Sequence, residues 1–315
     1  MKHSTDNAPF LLSPVGKDYL WGGTRLNDEY AKNLPMTPLA ETWECSTHPD
    51  GVSVVASGVY SGMPLDLVLK ENPGLKGDKY RDTDGLPILV KLIDAARDLS
   101  VQVHPDDDYA GLHEGGSAGK TEAWFVVEAQ PDASLVLGFS EPLSKEEIAS
   151  AVSDGSVTRL LRRVPVKAGD AVLIEPGTVH AIGGGILLAE IQQSSNVTYR
   201  LYDWGRTGAD GKPRELHLAK ALDVINPSSA PEVFGAEEGV RCPKFSVDEI
   251  KLTEGGEPFG IAGKDSFAVI LLTEGEAILS YEGGAFYFWK GDCVFVPAGV
   301  SVRLRGNGRA LYILP

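Results

Sequence analysis

The sequence predicts a mainly β protein built as two small jelly-roll-like barrels, with a few short helices. Three observations carry this expectation. Apolar runs are short, rich in β-branched and aromatic residues, and bounded by turn residues. The 36 Gly and 20 Pro are scattered, so they punctuate the whole chain rather than one loop. One local pattern, Gly-Asp followed by an apolar strand and a Pro/Gly turn, occurs twice, at 169–180 and 291–302. Many short strands joined by such turns indicate an antiparallel barrel or sandwich.

In chain order, the predicted strands are Val52–Val59, Pro87–Ile93, Leu99–Val103, Ala123–Ala129, Ser134–Phe139, Ala171–Ile174, Ile186–Ile191, Ala268–Leu272, Ala277–Tyr281, Phe286–Trp289, Cys293–Val296 and Ala310–Leu314. Helical signals are few. Ser144-Lys-Glu-Glu147 has capping-box spacing, in which Ser and Glu satisfy each other's free backbone N–H groups. It predicts a helix reaching about Val152. Leu65–Glu71 is a second candidate. Asn226–Pro243 contains Pro227, Pro231 and Pro243 without periodicity and reads as a connector. The expected organisation is a metal-binding domain over 1–225, a connector over 226–243 and a metal-free barrel over 244–315.

Composition limits the partners. The chain has 315 residues, 29 Lys+Arg and 44 Asp+Glu, hence a formal net charge of −15. That excess disfavours nucleic acid and anionic membrane, which need clustered cations, but not a phosphorylated small molecule. Hydrophobic residues at 43% and charged residues at 23% fit a globular chain with a sizeable core. Cys45, Cys242 and Cys293 are too few and wrongly spaced for a disulfide framework or a Cys-based zinc site. The first residues, MKHSTDNAPF, lack the apolar stretch of a secretory signal. The expectation is a soluble, cytoplasmic monomer or homodimer.

The repeated pattern reads Gly169-Asp-Ala-Val-Leu-Ile-Glu-Pro176-Gly-Thr-Val-His180 and Gly291-Asp-Cys-Val-Phe-Val-Pro297-Ala-Gly-Val-Ser-Val302. It resembles the corner of cupin barrels, so two cupin-like barrels are expected. Only the first copy ends in His. No His follows His217, so the second barrel cannot build an imidazole metal site.

Chemistry concentrates in the first barrel. Side chains alternate faces along a strand, so Ser100, Gln102 and His104 share one face and Val101 and Val103 the other. Such a polar face either meets water on an edge strand or lines a site holding a ligand or metal. Glu122 opens the next apolar strand, with Lys120 on its face if the segment is extended. Two imidazoles (His104, His180), a carboxylate (Glu122) and the neutral oxygen of Gln102 suit a divalent metal with open positions. Ligand type alone admits zinc or non-haem iron. Glu190 and Gln192 alternate with Ile191 and face one side. Arg200 and Arg206 lie in an aromatic-rich segment and suit a phosphate or a developing oxyanion, or are ordinary surface charges.

Together these segments resemble the type I phosphomannose isomerase family, in its short bacterial form. The resemblance rests on Tyr19-Leu-Trp-Gly-Gly23, Glu41-Thr-Trp-Glu44, Ser100-Val-Gln-Val-His-Pro-Asp106, Gly119-Lys-Thr-Glu122, Pro176-Gly-Thr-Val-His-Ala181 and the stretch from Glu190 through Arg206. It implies one zinc per chain on Gln102, His104, Glu122 and His180. It implies Arg200 as an active-site arginine, Ser100 at the phosphate, and Lys120 and Glu190 in proton handling or substrate contact. Arg206 stands where the long members carry a lysine, so the resemblance places it at the phosphate. The long members' helical insertion between Glu122 and His180 is reduced here to about one helix.

The implied reaction interconverts mannose 6-phosphate and fructose 6-phosphate through a cis-enediol. Glu190, Lys120 or a metal-bound water could move the proton. Two other functions fit a cupin: a non-catalytic sugar-phosphate-binding protein, and an iron-dependent oxygenase. The oxygenase does not need Ser100, Arg200 or Arg206, and the binding protein predicts binding without turnover, against which the intact His104, Glu122, His180 and Arg200 argue.

Overall fold

The computed structural model describes residues 7–208, 211–255 and 263–315. They form a mainly β, cupin-type fold of three large antiparallel sheets, a two-stranded ribbon (Thr47–His48 with Gly51–Val52) and a few short helices. A seven-stranded sheet runs in the order Phe234–Gly235, Asp170–Ile174, Glu122–Ala129, Ile186–Gln193, Ile88–Ala95, Glu41–Cys45 and Val15–Lys17. A five-stranded sheet runs Leu161–Pro165, Ser134–Phe139, His180–Ile182, Val101–Val103 and Tyr199–Tyr202. The third sheet has eight strands, mostly from the C-terminal residues.

The seven-stranded sheet is the middle layer, and alternation explains its buried strands. In Ile186–Gln193 every residue is buried. Ile186 and Leu188 join the core shared with Leu135, Leu137 and Ile182 of the five-stranded sheet. Leu187, Ala189 and Ile191 join the core shared with Val269, Leu271, Leu311 and Ile313 of the eight-stranded sheet. Glu190 and Gln192 therefore point into the first barrel. The outer face of the five-stranded sheet, with Val101 and Val103, is covered by helices Lys145–Asp154 and Leu218–Val224 through Ile148, Ala151 and Ala221.

Most expected strands are present, with some corrections. Val52–Val59 is not one strand: Gly51–Val52 and Val54–Val55 pair with different partners, and a 3-10 turn follows at Gly58–Tyr60. Gly58 at φ 76° takes the chain out of extended geometry there. The expected strands Ala268–Leu272 and Ala277–Tyr281 are one bulged strand, Ala268–Tyr281. Ala310–Leu314 is the end of a longer strand, Val302–Leu314. Lys145–Asp154 is a helix with the full Ser144/Glu147 capping box, and Leu65–Glu71 is helical as expected.

The two ends of the chain share one sheet. Phe10–Ser13 pairs with Cys293–Val296, and Phe10 stacks on Phe295 with ring centroids 5.1 Å apart. Within the predicted connector, Phe234–Gly235 pairs with Asp170–Ile174 and Val240–Arg241 with Ser246–Leu252, so it bridges two sheets. No helix among the described residues is long and apolar enough to cross a membrane.

Candidate active site

The site lies between the inner faces of the five- and seven-stranded sheets. Gln102 and His180 are direct partners on adjacent strands, and His104 follows the strand Val101–Val103. Glu122 comes from the opposite sheet, where it pairs with Ile174 and Gln192. His104, Glu122 and His180 are buried, and their ligand atoms lie within 4.8 Å of one another.

The backbone fixes both imidazoles. His104 Nδ1 lies 2.9 Å from the Val197 carbonyl, and His180 Nδ1 lies 2.9 Å from the Thr178 carbonyl. A carbonyl only accepts, so each Nδ1 carries the proton and each Nε2 presents a lone pair. These Nε2 atoms are 3.5 Å and 3.3 Å from the two oxygens of Glu122. Burial, then the charge of Lys120, pushes the His104 pKa down to about 4, so the ring is a neutral ligand at pH 7. Burial opposes ionisation of Glu122, but the charge of Lys120 outweighs it and holds the carboxyl well below its usual range.

These groups fit a divalent cation. Glu122 Oε1 is buried without a hydrogen-bond donor and faces the Nε2 lone pair of His180. Lys120 Nζ serves Glu122 Oε2 and lies 3.3 Å from His104 Nε2, but no proton lies between Glu122 Oε1 and His180 Nε2, and two buried electron-pair donors that face each other in this way suit a cation. Gln102 Nε2 lies 3.3 Å from His180 Nε2, and a half-turn of that amide would present its oxygen to the same point.

From this point a chain of buried charges runs along the middle sheet. Lys120 Nζ donates to Glu122 Oε2 at 2.5 Å and lies 3.6 Å from Glu190 Oε1. Lys91 Nζ donates to Glu190 at 3.0 Å and lies 3.6 Å from Glu41. The Trp124 indole N–H donates to the other oxygen of Glu190 at 3.0 Å, and the Trp43 indole N–H donates at 2.8 Å to the same Glu41 oxygen that faces Lys91. Burial and the charge of Glu122 work against ionised Glu190, but Lys120 and Lys91 outweigh them and hold its pKa below the usual carboxylate value. Burial likewise opposes the charge on Lys91, yet Glu190 and Glu41 hold it protonated.

Behind Gln102 and Lys120, the buried His104, Glu122 and His180 adjoin a cleft of about 250 Å³. Gln102, Lys120, Lys91, Glu190 and Glu41 line its inner end, and Ser100, Arg200, Arg214, Asn196 and Thr198 contribute the rest, with Tyr19 and Trp21 beside them. Arg200 Nε lies 3.3 Å from Ser100 Oγ, and its Nη1 donates to the Glu215 carbonyl at 2.8 Å. The fold thus brings Ser100, Gln102, His104, Lys120, Glu122, His180, Glu190 and Arg200 together. It does not bring Arg206, which is absent from the cleft wall and bonds Asp98 and Asp203 instead. The sequence reading assigned no role to Glu41, Lys91 and Arg214. A lysine within the otherwise apolar run Ile88–Ile93 was a usable signal for Lys91; Arg214 sits in a loop and gave none.

The family model for the type I phosphomannose isomerase catalytic domain matches residues 10–122. Mannose-6-phosphate isomerase ManA of Bacillus subtilis (strain 168) is 39% identical over 303 residues, covering 93% of this chain and 94% of its own. This chain belongs to the type I phosphomannose isomerase family. The crystal structure of the mannose 6-phosphate isomerase from Bacillus subtilis superposes on this family member with a TM-score of 0.89 at 34% identity, covering 97% of this chain and 99% of its own. A zinc-bound mannose 6-phosphate isomerase shares the fold, with a TM-score of 0.75 at 18% identity and coverage of 97% and 98%.

Proposed function

We propose that this phosphomannose isomerase family member interconverts mannose 6-phosphate and fructose 6-phosphate through a cis-enediol, with one zinc per chain. The observation that carries the reading is the buried His104–Glu122–His180 cluster, bonded through Gln102 and Lys120 to a cleft that also presents Glu190 and Arg200. His104, Glu122 and His180 would hold the metal, with the Gln102 oxygen as a fourth ligand. When bound, it would supply Lewis-acid polarisation of the sugar oxygens at C1 and C2.

The chain's own groups do the rest. Glu190 is ionised and lines the cleft, so it accepts the proton from C2 and returns it to C1. Lys120 and Lys91 keep it ionised between turnovers. Arg200, with no carboxylate at ion-pair distance among the described residues, stabilises the negative charge that develops on the sugar oxygens. The phosphate supplies binding energy that orients the sugar.

A coupled assay of mannose 6-phosphate to fructose 6-phosphate tests this. The reading expects turnover that a strong chelator abolishes. Glu190→Gln should lower kcat by about 10²–10⁴, the scale for a lost general base, and stop exchange of the C2 proton with solvent. Solvent exchange at the wild-type rate would remove Glu190 from that role. Binding of sugar phosphate without turnover by the metal-loaded protein would overturn the enzymatic reading.

A further inference from the structure

The cleft has a second arginine, and its surroundings differ from those of every other cation there. Lys91 and Lys120 are each ion-paired to carboxylates of the inner charge chain. Arg214 also lines the cleft, but its carboxylate partner, Asp203, does not. Arg214 Nε donates to Asp203 Oδ2 at 2.7 Å and Nη2 donates to Oδ1 at 2.6 Å, a fork that fixes the guanidinium plane. Nη1 takes no part in that fork.

Asp203 is itself immobilised. Its side chain is 6% exposed, and Arg206 donates to Oδ1 through Nε at 3.2 Å and Nη2 at 2.5 Å. Arg206 is tied on its other side to the Asp98 carbonyl at 2.6 Å. So Arg206 braces Asp203, and Asp203 braces Arg214. Beside Arg214 stands Arg200, and after burial the like charge of Arg214 is what most lowers the Arg200 pKa. Both guanidiniums line the cleft, Arg200 beside the hydroxyl of Ser100 and without a carboxylate at ion-pair distance among the described residues, which leaves positive charge with fixed donors there.

We propose that Arg214 and Arg200, with Ser100, form the anion-holding end of the cleft, that Arg214 determines selectivity for a phosphorylated sugar, and that Asp203 is its positioning residue. This rests on the sugar-phosphate reading above. A phosphate dianion offsets the like charges of Arg214 and Arg200, and it takes the pre-set N–H groups that Asp203 leaves available. Arg206 supports the arrangement from behind and touches no ligand.

The test measures inorganic phosphate binding by calorimetry on the metal-loaded protein, together with kcat and KM for mannose 6-phosphate. In Arg214→Ala, phosphate affinity should fall by about 10- to 100-fold, the scale of a lost charge-assisted contact. KM should rise in step, kcat should change less, and metal content should stay at the wild-type value. Asp203→Asn should raise KM in the same direction, and adding it to Arg214→Ala should cost nothing further, because it acts through that side chain. Arg214→Lys should recover part of the phosphate affinity. Phosphate affinity within about twofold of wild type in Arg214→Ala, or independent and additive losses in the double variant, would overturn the proposal. If the wild-type protein does not isomerise the sugar phosphate but Arg214→Ala still abolishes phosphate binding, the anion site stands and the isomerase reading falls.

Discussion

Lys91 and Glu190 stand directly opposite each other on neighbouring strands, with Lys91 Nζ 3.0 Å from Glu190 Oε1 and both side chains buried. A strand pair in the middle layer would ordinarily bury apolar residues on both faces. Here one face carries an ion pair, because that face forms the floor of the cleft. Glu41 on one side and Lys120 on the other extend it, so each buried charge meets a neighbour of opposite sign.

Removing one member should therefore be costly. Lys91→Met leaves Glu41 and Glu190 buried without their shared cation, and breaking a buried pair this way costs about 3–5 kcal/mol. A urea titration should show a lower midpoint with an unchanged slope. A midpoint equal to wild type would mean that water enters the cleft freely enough to solvate both carboxylates.

Metal removal should act on stability as well as turnover. A ligand that binds only the native state stabilises it by mass action. Dialysis against a strong chelator should lower the melting temperature and abolish activity, and Zn²⁺ should restore both. Metal analysis should give one zinc per chain, falling to near zero in His104→Ala. A metal retained after loss of both His104 and His180 would place it elsewhere in the chain.

Arg200→Ala isolates the oxyanion contribution. Losing one preorganised donor lowers kcat by about 10²–10³. Zinc content should not change, because the side chain contacts Ser100 and Glu215 and none of the proposed ligands. A rise in KM with kcat intact would reassign Arg200 to ground-state phosphate binding alone.

Acid stability should depend on Asp203. Burial opposes its ionisation, but hydrogen bonds from Arg214 and then Arg206 outweigh it and hold its pKa below 3.8. The native state then binds fewer protons than the unfolded chain in this range. The stabilisation is present above the unfolded pKa and is lost as pH falls through the lower native value. Between about pH 5 and about pH 3, wild type should lose stability more steeply than Asp203→Asn. Parallel curves from denaturation midpoints would show that Asp203 does not carry the linkage.

Local patterns in the sequence determined much of this protein. The Ser144/Glu147 cap starts its helix because both partners lie within one turn. Alternation placed Gln102 and His104 on one face and Val101 and Val103 on the other, since a strand has a period of two. His104, Glu122 and His180 were grouped by ligand type and through the family resemblance, since each alone fits an ordinary turn or strand end, and the fold brings the three close together. What the sequence left open are relationships across the sheets. The pairing of Phe10–Ser13 with Cys293–Val296 depends on non-local strand order, which no local pattern encodes. The same holds for the arginines. Along the chain, Arg206 lies closer to Arg200 than Arg214 does, yet Arg214 reaches the cleft. Asp203 and the Asp98 carbonyl hold Arg206 back, and only the folded loop sets that competition between hydrogen-bond partners.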